Sequence, residues 1–215
     1  MQDSGNLGIH ALLTEEGFAV DGSYHYVGTV TSGRPSRDAR FSDTLNRIKT
    51  GKQRFEKSRH ADDMLVERAC NAIISLEHSA NHLVLIVPPF ASPVWKGMGM
   101  NGYEYIGQAH DGLRRCSRIP VLDYSNPELL KGVNDCEFID GFHGGDTIAA
   151  RILLDVGEQD DTVLEYLDLT FVQRFLDKFS GQAAGATTSA LTRKRETDFL
   201  KLGCGKNSQF ESNRN

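Results

Sequence analysis

Apolar residues fall into two kinds of pattern along this chain. From 44 to 79, Leu45, Ile48, Phe55, Met64, Leu65, Ala69, Ala72, Ile73 and Leu76 recur at three- and four-residue steps, the repeat of an amphipathic helix. Gly51 and the polar SRHADD (58–63) divide this stretch into two helices, the second over about 60–79. HLVLIVPPF (82–90) is instead continuously apolar and then stopped by two prolines. That pattern predicts a short buried strand, and continuous apolarity suits a parallel strand covered on both faces. Residues 94–117 are punctuated by glycine at first and helical from about Gly102, through Tyr105, Ile106, Ala109, Leu113 and Cys116. IPVLDYS (119–125) predicts a second buried strand. NPELLKG (126–132) predicts a short helix with Pro127 at its first position, and TIAARILLDV (147–156) a further helix. Helices alternating with buried strands imply an α/β fold with a parallel sheet. Two strands are few for such a sheet, so 44–156 is expected to be the later part of an α/β domain.

The flanks are patterned differently. Residues 1–43 are rich in glycine, serine and turn pairs such as DGSYHY (21–26), and predict an irregular arm with a short hairpin and no packed core element. Residues 157–215 predict a helical extension. An acidic link, GEQDDT, leads into an amphipathic helix over 163–179, then a small-residue linker, a short extended segment at DFLKLGC (198–204) and a polar, frayed tail.

Composition narrows the function classes. The 215 residues, 39% hydrophobic and 25% charged, suit one domain with an appendage. A net charge of -5 argues against a nucleic-acid partner, and TRKRE (192–196) reads as a solvated run. Cys70, Cys116, Cys136 and Cys204 form no CxxC pair. They do not amount to a disulfide framework, though the count leaves room for one bridge. No apolar run approaches the ~18 residues of a membrane span, and the N-terminus lacks the basic and apolar regions of a signal peptide.

The candidate chemistry lies in FIDGFHGGD (138–146). Histidine is the usual general base near neutral pH, and it works best with a carboxylate holding its tautomer. Asp140, three residues before His143, reaches the imidazole if the chain turns sharply, and Gly141 permits such a turn. The motif follows a predicted strand, where α/β folds place ligands. A plainer reading makes the segment a polar turn with Asp146 as N-cap of the next helix; Asp146 is assigned that role in either case. A metal held by Asp140, His143 and Asp146 is a third reading. EHSANH (77–82) adds nothing to it, because Ser79 stands where H-E-x-x-H needs glutamate. No metal and no cofactor is expected.

HLVLIVPPF, a helix, IPVLDYSNPELL, and then FIDGFHGGD before a further helix resemble the C-terminal half of SGNH/GDSL hydrolases, and more narrowly of bacterial SGNH-hydrolase-like proteins. The resemblance spans roughly 18–156 and includes GFAVDGSYHY. It implies a flavodoxin-like sheet and a Ser-His-Asp triad in which Asp140 and His143 supply acid and base. It also implies an ester or acylated-glycan substrate, a cleft bordered by Pro88, Pro89 and Phe90, and a parent that is periplasmic or membrane-anchored. The nucleophile block and the oxyanion glycine and asparagine of that family have no counterpart here. Ser4 in QDSGN lacks the preceding glycine and strand, and Ser92 in PPFASPVW lacks the glycines of a nucleophile elbow. The expectation is an inactive, N-terminally truncated piece. The alternative is a non-catalytic α/β module that binds a glycan through Trp95, Tyr103 and Tyr105 or pairs a partner along its sheet edge.

Overall fold

The computed structural model describes residues 16–18, 24–184 and 195–206. The chain is a mixed α/β protein with two small sheets. Strands β1 (Glu16–Phe18) and β2 (Tyr24–Tyr26) pair antiparallel, Gly17 opposite His25, as the predicted hairpin. Strands β3 (Leu85–Val87) and β4 (Val121–Asp123) pair parallel, Ile86 opposite Leu122. Both are shorter than their apolar runs: Pro88 and Pro89 bring no N–H to the ladder after β3. Each leaves one edge without a partner strand among the described residues.

The helices follow local signals. After α1 (Val27–Thr31), α2 (Ser42–Thr50) ends where Gly51 turns left-handed at φ 65° and caps Arg47 and Ile48 carbonyls. Helix α3 (Asp63–Ser79) begins where Asp62 accepts from the Met64 and Leu65 N–H groups, so the polar SRHADD supplies its cap. Helix α4 (Ser92–Gly99) was obscured in the sequence by Gly97 and Gly99; a side chain at Gly97 would meet Leu45 of α2 at 3.2 Å. Helix α5 (Glu104–Cys116) lies close on α3, with Gly112 giving Val66 its space. NPELLKG forms only a 3-10 turn, Pro127–Leu129. Helix α6 (Asp146–Gln159) is as expected, but the predicted helix over 163–179 is two, α7 (Asp161–Leu164) and α8 (Leu169–Phe179). Asp160 and Asp168 each cap a fresh start.

Most of the core is one cluster, including Val30, Phe41, Ile48, Val94, Phe138, Ile148, Phe199 and Leu200. A smaller one joins Ala150 of α6 to Val172 and Leu176 of α8. Residues before 43 and after 195 therefore both enter the main core, contrary to the reading of the arm as coreless. The late segment packs as a strap held by backbone bonds: Thr197 N–H to Val30 O (2.8 Å), Ser36 N–H to Phe199 O (2.7 Å) and Arg40 N–H to Leu200 O (2.7 Å). Glu196, from the basic TRKRE run, is buried and ion-paired with Lys206; it also accepts from Ala183 and Ala184 N–H groups. Residues 192–194 and the tail beyond 206 lie outside the described residues.

The cysteines correct the sequence reading. All four are bridged, Cys70 to Cys116 and Cys136 to Cys204, where at most one bridge was expected. The first ties α3 to α5, and the second ties the strap to the turn before the FIDGFHGGD segment. Among the described residues no helix is long and apolar enough to cross a membrane.

Candidate acid–base site

The FIDGFHGGD segment is a tight reversal. Gly145 N–H donates to Glu137 O and Ile139 N–H to His143 O, both at 2.8 Å, with Phe138 bridged to Gly144. Asp140 stands at the bend. Its Oδ1 accepts from the backbone N–H groups of Phe142 (2.9 Å) and His143 (2.8 Å), while its Oδ2 meets His143 Nδ1 at 2.8 Å. The polar-turn reading and the paired reading thus describe the same carboxylate, one oxygen for each. Burial works to raise the Asp140 pKa, but the hydrogen bonds from the His143 ring and from the two backbone N–H groups outweigh it and hold the carboxyl below its ordinary value. An ionised Asp140 is acceptor only, so His143 Nδ1 carries a proton, and in the neutral imidazole Nε2 keeps its lone pair. The His143 side chain is half exposed, at 51%, against 25% for Asp140.

The loop is fastened on three sides. Gly141 N–H donates to Asp38 Oδ2 (3.0 Å), and Gly141 O accepts from Ala91 N–H (3.1 Å) at the start of α4. Asp38, buried, also accepts from the N–H (2.9 Å) and hydroxyl (2.7 Å) of Thr44. Gly141 is not in the left-handed region. It is glycine because a Cβ would lie 2.6 Å from Val94 Cγ2 and 2.8 Å from Thr44 Cγ2, a reason of space rather than of turn geometry. Beneath the loop, Glu137 is fully buried. It takes both Arg151 Nε and Nη2 at 2.7 Å and the Gly181 N–H at 2.9 Å. Beyond it, the N-cap of α6 is Gly145, not Asp146. A Cβ at Gly145 would strike the Ala183 carbonyl, so the chain cannot afford a capping side chain there. Asp146 lies in the first turn instead, where the helix dipole favours a negative charge.

Aromatic groups line the approach. The Phe142 ring lies 4.2 Å from the His143 ring and packs edge-on to Phe55 at 5.7 Å, with the Arg47 guanidinium over both rings at 5.4 and 4.8 Å. On the other flank, a hollow of about 230 Å³ is lined by Tyr26, Arg37, Asp38, Arg47, Asp140 and Phe142. Burial, and then the Asp140 charge, push the Tyr26 hydroxyl pKa up. Pro88, Pro89 and Phe90 do not line this hollow; Phe90 stacks on Trp95.

The structure sorts the other candidates. Ser92 donates its N–H to Asp135 (2.8 Å) at the start of α4, and Ser4 lies outside the described residues. Among the described residues no hydroxyl hydrogen-bonds His143, and no cysteine is free. No group of three or more His, Cys, Asp or Glu is disposed to hold a metal ion among those residues. Tyr103 is a packing residue, buried, its hydroxyl donating to the Ile48 carbonyl at 2.9 Å. Two further histidine–aspartate pairs carry no signal in the sequence, because their partners lie on separate elements: His82 with Asp160 and His110 with Asp123, each at 2.8 Å.

An oriented imidazole with a free Nε2 can take a proton from a hydroxyl and return it to a leaving group. Comparison with protein-family models, curated proteins and solved structures finds no match.

Proposed function

We propose that Asp140 and His143 are the acid–base half of an SGNH-type ester hydrolase or acyltransferase, and that β3, β4 and their helices belong to a flavodoxin-like sheet. His143 Nε2 would deprotonate a serine and then protonate the departing oxygen, while Asp140 fixes the ring and stabilises the imidazolium. The substrate class is an ester, including acylated glycans. The observation that carries the reading is the 2.8 Å contact from His143 Nδ1 to an aspartate already fixed by two backbone N–H groups. Such a pair holds one tautomer and needs no reorganisation during proton transfer. The parallel pair also supports it, because β3 leads within four residues to Ala91, whose N–H donates to Gly141 O in the loop. No described hydroxyl hydrogen-bonds His143, and this reading assigns no nucleophile among the described residues.

The test is hydrolysis of p-nitrophenyl acetate by the chain and its variants. The expected rate is close to background, with a small imidazole component lost in His143→Ala and reduced in Asp140→Asn. Robust turnover that survives Ser4→Ala and Ser92→Ala but not His143→Ala would relocate the nucleophile within the chain. A rate indifferent to His143→Ala would remove the acid–base role.

A further inference from the structure

A second histidine–aspartate pair stands in a cavity that shares no residue with the hollow beside Asp140. The cavity holds about 390 Å³ and lies among α4, α5 and the end of β4, with Trp95, Met98 and Ile106 on its apolar side. Helix α4 separates the two places: Val94 packs on Gly141, whereas Trp95 faces the cavity. Asp123, the last residue of β4, sits where parallel strands present ligands. Its Oδ2 meets His110 Nδ1 at 2.8 Å and Arg114 Nη2 at 2.7 Å, and Ser125 gives its N–H to Oδ1 of the same carboxylate at 3.0 Å. Burial raises the Asp123 pKa, but the Ser125 and His110 contacts outweigh it and keep the group ionised. His110 Nδ1 is therefore the donor, and Nε2, the acceptor of a neutral ring, has no partner among the described residues. The His110 side chain is only 15% exposed, far less than that of His143.

Three classes of ligand can be weighed on this chemistry. An anion finds no spare guanidinium, because Arg114 is already shared between Asp111 (3.0 Å) and Asp123. The lining charges are net negative, Lys96 and Arg114 against Glu104, Asp111 and Asp123. A purely apolar ligand would strip water from the His110 imidazole nitrogen without replacing its hydrogen bond. A neutral ring with one apolar face and several hydroxyls meets both sides of the cavity. We infer that this cavity binds a neutral saccharide unit, its apolar face against Trp95 and a hydroxyl donating to His110 Nε2. The volume is ample for a pyranose ring, and Lys96, without an ion-pair partner among the described residues, is a donor at the rim.

Trp95 is the sole tryptophan of the chain, so intrinsic tryptophan fluorescence reports on this cavity alone. The full chain is titrated with methyl glycosides of gluco, galacto, manno and N-acetylgluco configuration, and with glucuronate and inorganic phosphate. At least one neutral glycoside is expected to give a saturable emission change. His110→Ala should weaken it by about ten-fold, the value of one hydrogen bond. His110→Gln, which keeps an acceptor, should retain part of it, and His143→Ala should leave it unaltered. Circular dichroism establishes that each variant is folded. No response to any neutral glycoside, equal affinity in His110→Ala, or tighter binding of glucuronate or phosphate would each overturn the proposal. Failure of the ester-hydrolysis test with sugar binding intact would overturn only the reading of Asp140 and His143.

Discussion

Replacing Cys136 and Cys204 together by serine cuts the covalent tie between the strap and the turn before Glu137, and its cost can be worked from loop length. The bridge spans 68 residues. The chain-entropy relation then gives about 15 cal/mol/K of denatured-state entropy, or ~4 kcal/mol at about 25 °C. Cys70–Cys116 spans 46 and gives ~4 kcal/mol by the same relation. The strap keeps its backbone bonds to Val30, Ser36 and Arg40 when the bridge is gone, so the loss falls mainly on the unfolded chain. Against a total stability of about 5–15 kcal/mol, either loss is large. Urea unfolding of wild type, Cys136→Ser/Cys204→Ser and Cys70→Ser/Cys116→Ser measures both. The two losses should agree to within about 1 kcal/mol if loop closure governs them. A loss below about 1 kcal/mol for either double variant would refute the loop-entropy reasoning for that bridge. A much larger loss at Cys136–Cys204 would mean that the strap departs with it.

Three further outcomes are expected. Glu137→Gln leaves the half-buried Arg151 without its counter-charge and should cost about 3–5 kcal/mol in the same unfolding assay; a cost under about 1 kcal/mol would show that the pair is not holding the loop floor. Gly141→Ala drives a methyl into Val94 and Thr44 and should cost about 1–3 kcal/mol, with Gly141→Ala/Val94→Ala recovering part of it; absence of recovery would exclude the steric cause. Because the folded Asp140 carboxyl lies below its ordinary value, its stabilisation is complete above the unfolded value of ~3.9 and is lost as pH falls through the folded one. Wild type should therefore be more stable than Asp140→Asn at neutral pH, with the gap closing in acid; a gap independent of pH would refute the linkage.

Contacts near in sequence were legible, and contacts between distant segments were not. Asp140 and His143 meet within one turn, so spacing alone places them together. Asp38 reaches Gly141 across 103 residues, from an arm whose glycines and serines advertise only irregular chain. Arg151 reaches Glu137 from the next helix, and nothing in either residue's neighbourhood marks a buried ion pair. The Gly51 helix stop and the Asp62 cap were readable because each acts within four residues. The break between α7 and α8 was hidden by an apolar pattern that runs through it, although Asp168 is a competent cap. His110 and Asp123 look unremarkable until α5 is laid beside β4. Gly97, which weakens a helical pattern, is tolerated because Leu45 fills the place of its side chain.

The bond from Thr197 to Val30 closes a separation of 167 residues, and it has a bearing on synthesis. Contacts of such range are entropically costly to form early and slow folding. During translation the hydrophobic faces of Val30 and Phe41 stay without Phe199 and Leu200 until nearly the whole described chain has left the ribosome. The Asp140–His143 loop, resting on Glu137 and bound through Cys136 to the strap, settles in that same late step. The strap's hold on this loop is therefore among the last contacts the chain can make.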